Sequence, residues 1–95
     1  MTPDNNQRSY RVVFNPHFNA ILCELSRENR DLFRKINKQI DKILKEPTLG
    51  KPLRNVLKNK MRVHISSFVL VYEFLDGELR VIDFDHHDKI YKKQF

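Results

Sequence analysis

Two histidines near the end of this chain have the type and setting to move protons during the cleavage of a phosphodiester. His64 lies in Lys60-Met61-Arg62-Val63-His64-Ile65, and His87 in Asp83-Phe84-Asp85-His86-His87-Asp88-Lys89-Ile90-Tyr91. Imidazole is the side chain best suited to act as acid or base near neutral pH. Lys60 and Arg62 alternate with Met61, Val63 and Ile65, so strand periodicity puts Lys60, Arg62 and His64 on one face and the apolar set on the other. The cations stand where a phosphate would need them. Asp83, Asp85 and His87 would share a face if strand geometry ran on through them. A carboxylate beside an imidazole favours its protonated form. On that reading His87 donates the proton and His64 accepts it, though charge environment alone leaves the reverse assignment open. The combination points to phosphodiester chemistry on a nucleic acid.

His86 and His87 together invite a metal reading. Neighbours on a strand point to opposite faces, and no further ligand-spaced motif accompanies them. No metal and no cofactor is expected. Cys23, the single cysteine, cannot form an internal disulfide. It falls in a helical pattern and reads as a small half-buried residue.

Charge supports the same direction. The chain of 95 residues carries a formal net charge of +6. Residues 34–62 hold ten lysines and arginines against Asp41 and Glu46, whereas residues 73–88 hold six acids against Arg80 alone. A cationic band therefore precedes an acidic hairpin, and a band of this kind suits a polyanion.

The elements that must position these residues follow from pattern. Residues 8–14 read as a first strand, with Tyr10, Val12 and Phe14 in alternation. Asn15-Pro16 is a helix start, with asparagine as cap and proline at the first helical position. Apolar stripes predict helices over 17–27 and 30–45, with Asn29 capping the second, and Pro47 ends it. Residues 46–53 read as an irregular connection. Ser66-Ser67 and Asp76-Gly77 are tight reversals between three alternating segments. The order is β-α-α-β-β-β: an α/β (α+β) domain with an antiparallel sheet and a helical hairpin on one face. The other face is expected to stay open to a ligand. Phe68, Tyr72, Phe74 and Phe84 read as core, while Tyr91 lies past the last strand. The whole of 1–95 is one small domain, with 1–7 as a tail. No apolar run approaches a membrane span and the polar start is no signal peptide, so a cytoplasmic protein with no membrane partner is expected.

In these features the chain resembles the RelE/ParE superfamily of type II toxin–antitoxin toxins. The resemblance rests on the helical hairpin, the Pro47…Gly50-Lys51-Pro52-Leu53 connection, the Arg62–Tyr72 hairpin and the His86-His87-Asp88-Lys89-Ile90-Tyr91 ending. It implies a microbial-ribonuclease-like fold. Measured against the RelE pattern, Arg62 holds the first arginine place, His64 the second, Val69 replaces a later arginine, His87 the terminal one, and Tyr91 retains the tyrosine. The YafQ branch is nearer in chemistry, being similar at His64-Ile65, Phe68-Val69-Leu70-Val71-Tyr72 and His87. It differs at Lys51, where that branch has histidine, and at Ser67, where it has an acid.

The resemblance implies a ribosome-dependent mRNA endoribonuclease (an mRNA interferase) inhibited by a cognate antitoxin. In that scheme His64 is the base and His87 the acid. Arg62, Lys60 and Lys51 hold the phosphate, Arg54 and Lys58 add RNA contacts, and Tyr91 stacks on a base or orients His87. Two alternatives share the scaffold: a ParE-like toxin that binds DNA gyrase, and an inactive member that only binds its antitoxin.

Overall fold

The computed structural model describes residues 11–46, 50–52 and 60–93. Along the chain run β1 (Arg11–Phe14), α1 (Pro16–Glu28), α2 (Arg30–Lys45), β2 (Lys51–Pro52), β3 (Lys60–Ile65), β4 (Phe68–Leu75), β5 (Glu78–His86) and α3 (His87–Ile90). The sheet order is β1-β5-β4-β3-β2. The expected meander β3-β4-β5 is antiparallel. β1 joins β5 in parallel, so the sheet as a whole is mixed. The connection expected to be irregular contributes β2, two residues paired antiparallel to β3. Residues 1–10, and with them the expected tail and the start of the first strand, lie outside the described residues, as do Arg54 and Lys58.

Both long helices start as their sequences dictate. The Asn15 side chain accepts hydrogen bonds from the backbone N–H groups of His17 (2.8 Å) and Phe18 (3.2 Å), with Pro16 in the first turn. These bonds satisfy two donors that a helix start leaves orphaned. Asn15→Ala should cost about 1 kcal/mol and lower Tm by about 4–8 °C in a domain of this size. Thermal unfolding checks it, and an unchanged Tm would deny the cap its weight. Asn29 ends α1 and caps α2, its side chain accepting from Leu32 N–H at 3.2 Å.

One core lies between the helical hairpin and the sheet. Phe18 and Leu22 of α1 and Leu32, Ile36, Ile40 and Ile43 of α2 pack with Val63, Ile65, Leu70, Tyr72, Leu79, Val81 and Phe84. Each fully buried aliphatic or aromatic side chain contributes roughly 1.5–3 kcal/mol of transfer free energy. This core fixes the register of β3: Val63 and Ile65 are buried on the helix side, and His64 is exposed on the other. Cys23 is exposed on α1, contrary to the half-buried place its pattern suggested. It falls one residue beyond Leu22, on the side of the helix turned from the core.

The face away from the long helices is less open than expected. Val69 and Val71 of β4 point there, yet both are fully buried, because Ile90 of α3 seats on them beside Ile82. The segment after β5 is thus a packed helical turn. No helix among the described residues is long and apolar enough to cross a membrane.

Candidate active site

β3 and α3 bring together four of the residues singled out above. The rings of His64 and His87 stack with centroids 5.5 Å apart and planes 29° from parallel. Tyr91 stands edge-on to His87 at 5.2 Å. The Arg62 guanidinium carbon lies 5.8 Å from the Tyr91 ring centroid, within cation–π reach. His64, Arg62, His87 and Tyr91 therefore form one cluster on the sheet face opposite the helical hairpin.

Local structure explains each position. The β3–β4 reversal at Ser66-Ser67 places Ser66 in the left-handed region (φ 59°) and turns the strand back two residues after His64. The Ser67 carbonyl accepts the His87 N–H at 3.0 Å. That bond anchors the start of α3 beside the end of β3. Strand geometry stops at His86 and helix begins at His87, so the expected shared face of Asp83, Asp85 and His87 does not form. The carboxylate beside His87 is Asp88, 3.5 Å from Nδ1 and largely exposed. The two adjacent histidines part company: His86 lies edge-on to Phe68 at 5.2 Å, while His87 faces His64.

Arg62 is held unusually. Its Nε is buried and has no hydrogen-bond partner among the described residues. A buried, unpaired donor on a cation is costly, and an incoming anion is one way to satisfy it. Lys60 is committed elsewhere. Its ammonium meets the Glu73 carboxylate at 2.5 Å, and Arg80 reaches the other oxygen of Glu73 at 3.3 Å. Lys60 is also four residues from His64, roughly 13 Å along an extended strand. Of Lys51, the backbone pairing with Arg62 is described and the side chain is not.

Other acids of the late hairpin are paired as well. The Glu78 carboxyl is held below its usual range first by its hydrogen bond from Arg80, with Arg11 adding attraction. Lys93 donates to Asp83 at 2.7 Å and to Asp85 at 2.8 Å. The Lys93 hydrogen bond is the main reason that Asp85 is shifted down. Burial works against the Lys93 ammonium, but its bonds to Asp83 and Asp85 outweigh this and hold its pKa above the ordinary lysine value. Sequence reasoning missed Lys93 and Ile90 as supports of the site, and placed Asp83 beside His87 rather than on Lys93. The signal that could have found Ile90 is its helical spacing from His87. None marked the pairing of Asp83 with Lys93, which depends on an irregularity in β5.

A surface groove of about 350 Å³ lies along α2 between Asp31, Arg34, Lys35 and Lys38. It belongs to the solvated side of the helical layer, whereas the histidine cluster is on the far side of the sheet.

The domain thus sets a helical hairpin on one face of the β3-β4-β5 meander and an imidazole pair beside an arginine on the other. Residues 12–91 match the family of the ParE toxin of type II toxin–antitoxin systems, parDE. The chain is 40% identical over 88 residues to a protein of Methanocaldococcus jannaschii that carries the toxin name RelE4, covering 90% of this chain and 94% of the relative. The fold is similar to that of the YoeB dimer from Staphylococcus aureus (TM-score 0.75, 18% identity, covering 83% of this chain and 98% of the other). It is also similar to the E. coli RelBE toxin–antitoxin complex (TM-score 0.70, 19% identity, covering 81% of this chain and 95% of the other). The chain belongs to the RelE/ParE superfamily and is a toxin of a type II toxin–antitoxin system.

Proposed function

We propose that this toxin is a ribosome-dependent mRNA endoribonuclease. The observation that carries the reading is the stacked His64–His87 pair, with the unsatisfied Arg62 beside it. One imidazole takes the proton from a ribose 2′-hydroxyl, whose oxygen attacks the adjacent phosphorus. The P–O5′ bond breaks, and the other imidazole, protonated, gives its proton to the leaving oxygen. The products are a 2′,3′-cyclic phosphate and a 5′-hydroxyl. The reaction needs one neutral ring and one protonated ring, so the working state of the pair is the singly protonated one. Asp88 supplies a counter-ion for a protonated His87, which fits His87 to the acid role and His64 to the base. Arg62 would stabilise charge on the phosphorane. Tyr91 would orient His87 or stack on a base. Base, acid and cation all come from side chains, so chelators should leave the rate unchanged.

A cognate antitoxin is the proposed partner. The similar RelBE structure is a toxin–antitoxin complex. Acidic and apolar residues would complement the exposed cations of α2 and the Arg62 neighbourhood.

The match to the ParE family favours a second reading, in which the same scaffold binds DNA gyrase and cleaves nothing. One pair of assays separates the two. The purified chain is added to ribosomes programmed with mRNA, and in parallel to gyrase with relaxed plasmid. Cleaved mRNA with unaffected supercoiling is the expected result. Intact mRNA with blocked supercoiling would replace the first reading by the second.

A further inference from the structure

α3 is a single helical turn, too short to be stable by itself. It nevertheless carries His87, and Tyr91 follows directly. Three fasteners hold this segment. At its start the His87 N–H binds the Ser67 carbonyl. In its middle Ile90 is fully buried against Val69 and Val71. At its end Lys93 binds Asp83 and Asp85 together.

The third fastener depends on a defect in the sheet. Val71 pairs with Asp83 and Tyr72 with Val81, so Ile82 is an extra residue and β5 is bulged there. A bulge re-aims the side chains next to it. Asp83 is buried, and its two oxygens are divided between two tasks. Oδ1 accepts the Phe84 N–H at 2.7 Å and lies 3.0 Å from His17 Nε2 on α1. Oδ2 takes Lys93 at 2.7 Å. The carboxylate is thus fixed from the strand and from α1 on one side, and grips the C-terminal segment with the other.

We propose that Lys93, through Asp83 and Asp85, is a positioning residue that clasps α3 to the bulge and so holds His87 and Tyr91 in register with His64 and Arg62. The consequence for catalysis rests on the ribonuclease reading; the clasp itself does not. The Lys93 side chain is partly exposed and lies outside the hydrophobic core, so its replacement should leave the core folded.

The test compares the parent chain with Lys93→Ala and Lys93→Arg by two readouts. The first is amide hydrogen exchange at His87 and Ile90, with the imidazole NMR signals of His64 and His87. The second is kcat and KM for mRNA cleavage on ribosomes. Lys93→Ala should speed exchange at His87 about 10-fold and shift both imidazole signals. It should lower kcat about 10-fold with KM little changed, because misplacement of an acid affects the chemical step. Lys93→Arg, which keeps the donors, should recover most of both. Parent-like exchange and imidazole signals in Lys93→Ala would overturn the clasp, as would an arginine variant no better than alanine. If exchange responds as expected but the parent itself cuts no mRNA, the clasp stands and the ribonuclease reading falls.

Discussion

Replacing either His64 or His87 with alanine should reduce ribosome-dependent mRNA cleavage by about 100-fold or more, and the double variant should be little worse than the poorer single one. Groups that act as a unit give such non-additive losses. The fold should survive, because both side chains are exposed and neither belongs to the main core. Activity should rise and fall with pH, as expected where one ring must be neutral and the other protonated. The Lys93 clasp does not set those limits. The Asp85 pKa is lowered on folding, so its stabilising contribution is complete above the ordinary carboxylate value of about 3.9 and is lost only as pH falls through the lowered value. The Lys93 pKa is raised, so its contribution is complete below about 10.4 and is lost as pH rises through the raised value. Between those bounds the Lys93–Asp85 pair stays charged, so it sets no limit near neutrality. If the His64→Ala/His87→Ala protein cut programmed mRNA at the parent rate, the site assignment would be wrong. If it stayed toxic while neither protein cut mRNA, the gyrase reading would take its place.

How far the sequence could be read depended on whether a feature was local. The helices were legible to within a residue or so at each end, because Asn15, Pro16, Asn29 and the apolar spacing are all short-range signals. The facing of β3 followed from strict alternation, and it placed Arg62 and His64 together correctly. The pairing of β1 with β5 was not legible, since four residues of alternation do not say which neighbour they will find or in which direction. The Ile82 bulge, which redirects the side chains after Val81, was not legible either, and the conditional reading that set His87 on one face with Asp83 and Asp85 fails because helix begins at His87. The cationic band was legible as charge, but its availability was not. Lys60 is spent on Glu73 and Lys35 on Asp31, pairings that no count of charges reveals. In the proposed mechanism the phosphate-facing role therefore falls to Arg62 among the described residues of the cluster.

Gly50→Ala should unfold this protein well below the parent temperature, even though Gly50 lies twelve residues before Arg62, the first in sequence of the clustered residues His64, Arg62, His87 and Tyr91. A Cβ on Gly50 would come within 2.6 Å of the Tyr72 hydroxyl and 2.7 Å of the Arg62 carbonyl oxygen. Carbon atoms do not approach oxygen so closely, and neither neighbour gives way easily. Tyr72 is fully buried in the core, and the carbonyl is part of β3. The same close approach lets the Gly50 N–H donate to the Tyr72 hydroxyl at 3.0 Å, a bond that partly offsets the rise which burial imposes on the Tyr72 pKa. Overpacking combined with loss of that bond should cost roughly 3 kcal/mol, lowering Tm by about 12–24 °C. Relief through movement of β3 would carry Arg62 with it, so cleavage should suffer even at temperatures where the variant is folded. Tyr72→Phe removes one of the two clashing atoms. The double variant Gly50→Ala/Tyr72→Phe should therefore be more stable than the sum of the single losses predicts, a coupling that a double-mutant cycle measures. Thermal unfolding of the four proteins decides the matter. A Gly50→Ala Tm within a few degrees of the parent would mean that β2 does not lie against Tyr72 and Arg62 as described, and strictly additive losses would remove the Tyr72 hydroxyl from the explanation.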